Sequence, residues 1–65
     1  MANQVTKVNV WCDDNDLWYY AAWCGEEHDH NGQCDLDDTA TARDAIAWAQ
    51  SQFPDAVVRE VAANG

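Results

Sequence analysis

The chain has 65 residues and sets twelve Asp and Glu against three Lys and Arg, for a formal net charge of −9. That length supports one domain over residues 1–65, and the charge disfavours both direct nucleic-acid binding, which needs cations for phosphates, and an anionic membrane surface. Seven aromatics (Trp11, Trp18, Trp23, Trp48, Tyr19, Tyr20 and Phe53) supply material for a core and speak against disorder.

Residues 5–12 alternate in polarity and predict a strand. Residues 13–16, DDND, are short polar side chains suited to a turn. Residues 17–24, rich in aromatics, predict a second strand, making a hairpin with a four-residue loop. That loop length sets Cys12 opposite Leu17, Val10 opposite Tyr19, and Trp11 opposite Trp18. Residues 25–38, GEEHDHNGQCDLDD, read as a long acidic loop, near the upper length that a compact domain tolerates without structure.

Residues 39–53 predict the one helix. Asp38, Thr39 or Thr41 can cap it, and Thr41 with Asp44 resembles a capping box. Ala42, Ala45, Ile46, Ala49 and Phe53 form its apolar stripe, and Pro54 ends it. Residues 56–62 alternate as a third strand, and the tail at Asn64 and Gly65 is expected to fray. The expected fold is α+β, a small antiparallel three-stranded sheet with one helix packed on one face, in the order β-β-α-β. Trp23, Tyr19, Trp48 and Phe53 are then assigned to the core. Trp11, Trp18 and Tyr20 fall on the opposite face, as an exposed interface patch or beneath the long loop.

The acids are the strongest candidates for function. Asp13, Asp14 and Asp16 lie in the hairpin turn, and Glu26, Glu27, Asp29, Asp35, Asp37 and Asp38 lie in the long loop and at the helix start. At the roughly 1.7 Å of duplex axis per phosphate, nine charges correspond to about 15 Å of DNA. Such an array can compete for a phosphate-binding groove. Against this stands the plain reading of solvated loop acids, with Asp37 and Asp38 favouring the helix N-terminus.

Cys12, Cys24, Cys34, His28 and His30 are zinc-type ligands, but their spacing matches no common zinc signature. Unremarkable thiols and histidines, a Cys24–Cys34 disulfide, and a metal site all remain open. DDND and DLDD offer oxygen ligands without fitting a calcium loop. No nucleotide-binding or nucleophile motif is present, and so small a fold offers little room for a substrate pocket; neither enzymatic activity nor a cofactor is expected. No stretch has the pattern of a secretory leader or the roughly 20 apolar residues of a membrane span, so a cytoplasmic monomer is expected.

The profile as a whole, with its carboxylates grouped in DDND, GEEHDHNG and DLDDT, resembles the small acidic proteins that phages carry against host defences, in particular anti-CRISPR proteins acting on type I surveillance complexes. The resemblance implies a DNA-like charge distribution that blocks a basic DNA-binding channel in the host-cell cytoplasm. The expected site is therefore Asp13, Asp14, Asp16, Glu26, Glu27, Asp29, Asp35, Asp37, Asp38, Trp11 and Trp18, and the expected partner is a basic nucleic-acid-binding protein or complex. The element order also looks like the partial RNase H-like fold of antitoxins that neutralise small RNA-cleaving toxins. That antitoxin-like role and a Cys/His metal-binding module are the alternatives.

Overall fold

A computed structural model describes residues 4–62; the tail at Asn64 and Gly65 lies outside them. The elements are β1 (Lys7–Cys12), β2 (Trp18–Cys24), β3 (Glu27–Gln33), α1 (Ala42–Gln52) and β4 (Val57–Glu60). The α+β class holds. The sheet, however, has four strands in the order β3-β2-β1-β4, and it is mixed: β1 pairs antiparallel with β2 and parallel with β4. The expected three-stranded antiparallel β-β-α-β arrangement is thus replaced by β-β-β-α-β. No helix among the described residues is long and apolar enough to cross a membrane.

The additional strand is β3, EHDHNGQ, inside the stretch read as a loop. It contains no large apolar residue and gives no alternation signal. Its order comes from pairing with β2 through a two-residue turn, Gly25–Glu26. Gly25 has φ 64 at the first turn position, where tight hairpins favour glycine. Gly32 faces Tyr20, whose ring would lie 3.2 Å from a Cβ there. Lacking a side chain, Gly32 lets that ring lie against the sheet.

The first hairpin is one residue longer in its loop than expected. Cys12 pairs with Trp18, Trp11 with Tyr19, and Val10 with Tyr20. The cause is Asp13. Its Oδ1 accepts the backbone N–H of both Asn15 and Leu17 at 2.9 Å, drawing Leu17 into the loop. Asp16 completes the turn at φ 64, a left-handed conformation that Asp tolerates. Because side chains alternate along a strand, the shift exchanges the two faces of β2.

Trp18 consequently lies inside at 5 % exposure, not in a surface patch, and its Nε1 donates to the Ala40 carbonyl at 3.1 Å. Tyr20 also turns toward the helix, packing beside Trp48 and Phe53. Tyr19 and Trp23, expected in the core, go to the open face with Trp11.

The helix behaves as its stripe predicts. Thr41 is the N-cap and forms the capping box with Asp44, whose carboxylate accepts the Thr41 N–H at 2.9 Å. Ala45 and Ala49 are fully buried in one cluster with Val8, Val10, Trp18, Ala22 and Cys34. Small residues at this contact allow the helix axis to approach the sheet closely. Ala42, Ile46, Trp48 and Phe53 pack around the same cluster from the helix and its end, and Leu36 and Ala40 do so from the β3–α1 loop.

Candidate functional site

Strand direction sorts the acids. The β1–β2 loop, the β3–α1 loop, the first turn of α1 and the last residue of β4 all lie at one end of the sheet. That end collects Asp13, Asp14 and Asp16, then Asp35, Asp37 and Asp38, together with Asp44 and Glu60, eight of the twelve carboxylates. Glu26, Glu27, Asp29 and Asp55 lie at the opposite end. The nine acids between residues 13 and 38 therefore do not form one array; six sit at one pole and three at the other. Asp44 joins the larger pole from the first turn of α1, and Glu60 joins it through the parallel pairing of β4 with β1, which a linear reading of the chain does not reveal.

The acids also divide by role. Asp13 holds the hairpin loop, and Asp44 closes the capping box. Asp37 accepts the Thr39 hydroxyl at 2.7 Å and the Thr39 N–H at 3.1 Å, which together hold its carboxyl below the usual carboxylate range. Asp14, Asp35 and Asp38 are exposed and make no side-chain hydrogen bond to a described residue. Charges without a folding role are the ones a partner can use. The crowding is felt at Cys12, whose thiol is pushed up by partial burial and then by the carboxylates of Asp16, Asp13 and Glu60.

Two clefts open beside the helix. One, of about 670 Å³, runs along its exposed flank between Asp35, Asp37, Asp44 and Trp48. The other, of about 350 Å³, lies at the helix C-terminus and is lined by Asp29, His30, Phe53 and Asp55. There His30 Nδ1 meets Asp29 Oδ2 at 2.6 Å, and Gln4 Nε2 donates to Asp55 Oδ2 at 3.0 Å. His30 stands beside the rings of Tyr20 and Phe53.

The open face of the sheet is different. Lys7, Asn9, Trp11, Tyr19, Trp23, Val57 and Arg59 share it, opposite to Val8, Val10, Trp18 and Ala22. Trp11 and Tyr19 stack with ring centroids 6.2 Å apart, and Lys7 Nζ lies 4.7 Å over the Trp23 ring. Of the two tryptophans expected to contact a partner, Trp11 is thus available at the surface and Trp18 is not.

Cys12, Cys24 and Cys34 are free thiols, and no group of three His, Cys, Asp or Glu among the described residues is placed to hold a metal ion. Cys34 is buried in the core, where loss of hydration pushes its thiol up to about 11. Comparison with protein-family models, curated proteins and solved structures returns no match to this chain.

Proposed function

We propose that the chain is a non-enzymatic binding protein whose larger acidic pole engages a basic surface of a nucleic-acid-binding partner and occludes its groove, in the manner of the phage anti-CRISPR proteins it resembles. The observation that carries this reading is the gathering of eight carboxylates at one end of the sheet, where the only nearby cations among the described residues are Arg43 and, beside Glu60, Arg59. Several of these acids have no role in holding the fold. Concentrated like charge opposes folding, and an oppositely charged partner relieves that opposition. Electrostatic complementarity of this kind mainly accelerates association and imposes a salt dependence.

The test is a charge reversal that spares the turn and cap acids: Asp14→Lys, Asp35→Lys and Asp38→Lys together. The wild-type protein, immobilised and exposed to bacterial lysate, should retain a nucleic-acid-binding protein at low salt and release it at high salt. Added in solution, the chain should displace DNA or RNA from that protein. The triple variant should do neither while keeping its circular dichroism spectrum. Undiminished displacement by the variant refutes the proposal. Capture of a small basic toxin with RNA-cleaving activity would instead support the antitoxin reading.

A further inference from the structure

The cleft at the helix C-terminus has a more specific chemistry than the acidic poles. Its polar walls are dominated by acceptors. Asp55 offers a carboxylate, half-engaged by the Gln4 amide. In the neutral His30 ring, the Nδ1 proton is donated to Asp29, which leaves Nε2 as an acceptor with no partner among the described residues. Phe53 adds an aromatic wall. Gln52 and Phe53 also mark the negative end of the helix dipole, and the last helical turn contains no basic residue to balance it. No Lys or Arg lines the cleft.

These groups select a cation, and their arrangement selects its kind. Asp29, His30 and Asp55 surround about 350 Å³ but do not converge closely enough to hold a metal ion. The matching ligand is an extended organic cation whose several donors reach separated acceptors while its flat face meets an aromatic ring. A guanidinium has that planar fork of five N–H donors and stacks on rings; an ammonium is a compact, strongly hydrated point charge. We propose that this cleft receives an arginine side chain of the basic protein partner. The assignment rests on the reading of the chain as a ligand for such a partner and adds a contact at the end opposite the larger acidic pole.

The test uses the whole protein and a short probe, acetyl-Gly-Arg-Gly-amide, with its lysine and citrulline counterparts and spermidine as comparisons. NMR follows the His30 ring and the Gln4 side-chain amide, which reports on Asp55 directly. The arginine peptide should give saturable shifts at both, the lysine peptide a response about threefold weaker, and the uncharged citrulline peptide none. Asp55→Asn, at an exposed position, and His30→Gln should each weaken binding about tenfold, as expected for loss of a charge-assisted contact. Asp14→Asn, at the far pole, should leave it unchanged. Equal responses to arginine and citrulline, or equal losses in Asp14→Asn and Asp55→Asn, overturn the proposal. A spermidine response stronger than the arginine one also overturns it and assigns the cleft to free polyamines. Because the probe is small, failure of this binding with success of the charge-reversal experiment would remove the arginine contact and leave the acidic pole standing.

Discussion

The two faces of the central hairpin are built from similar residues and serve different ends. On the helix side, Val8, Val10, Trp18 and Ala22 are buried against Ala45 and Ala49. On the open side, Trp11, Tyr19 and Trp23 are only partly covered, and they share the surface with Lys7 and Arg59, two of the three cations in the chain. Among the described residues, no strand carboxylate points to that open side. The open face also leaves Asn9 Oδ1 covered with no hydrogen-bond partner among the described residues. Stability resides on one face, while the other is spared the negative charge that dominates the rest of the molecule. A net charge of −9 therefore describes the ends and the helix side far better than the sheet surface.

The largest effect that can break this comparison is truncation of the two tryptophans. Trp18→Ala removes a buried ring and its bond to the Ala40 carbonyl, which anchors the β3–α1 loop. It should cost about 3–5 kcal/mol, enough to unfold much of a domain this small. Trp11→Ala, which loses mainly its contact with Tyr19, should cost about 1 kcal/mol. Urea denaturation monitored by far-ultraviolet circular dichroism decides the matter. Equal costs would mean that the two faces are not divided into a closed and an open one, and a larger cost for Trp11→Ala would mean that they have been assigned the wrong way round.

A smaller effect separates structural acids from free ones. Asp13→Ala leaves the Asn15 and Leu17 N–H groups without their acceptor and should destabilise the chain by about 1–2 kcal/mol. Asp14→Ala, one residue on, should be neutral or slightly stabilising, since it removes repulsion and no hydrogen bond. The same denaturation experiment measures both. A neutral Asp13→Ala would mean that something other than this carboxylate sets the hairpin register.

How far the sequence could be read depended on where a local signal matched the tertiary outcome. The helix was legible because Thr41 and Asp44 cap it locally and its alanine stripe has a helical period. Strands β1 and β4 were legible from alternation, and β2 from its aromatic content. The hairpin register was not, since DDND looks like a complete four-residue loop and only the double use of the Asp13 carboxylate recruits Leu17. One residue of register moved Trp18 and Tyr20 inward and Tyr19 and Trp23 outward. β3 was illegible because its order comes from a partner strand, not from its own composition. The acids were identifiable as candidates, but their division between two poles followed from β3. Once Glu27–Gln33 runs the length of the sheet, Glu26, Glu27 and Asp29 are carried away from Asp35, Asp37 and Asp38.

The subtlest contrast concerns the thiols, and it shows itself only in alkali. Cys34 is fully enclosed, and burial raises its thiol from 9.0 to about 11. A folded-state value above the unfolded one means that the folded chain holds this proton more tightly. The resulting contribution to stability is complete below pH 9 and is lost as the pH climbs from about 9 to about 11. Cys34→Val keeps apolar bulk at the site and removes the ionisation, so its stability should decline less steeply than that of the wild type across this interval. Any parallel decline from Cys12, whose thiol is also raised, is common to both proteins and cancels in the comparison. Alkylation supplies the kinetic counterpart: at neutral pH, iodoacetamide should modify the half-buried Cys24 before Cys34, because the thiolate is the reactive form and Cys34 must wait for the core to open. If Cys34 reacts first, or if the alkaline slopes coincide, the cluster of Val8, Val10, Trp18 and Cys34 does not exclude water, and the division between a closed face and an open one fails at its centre.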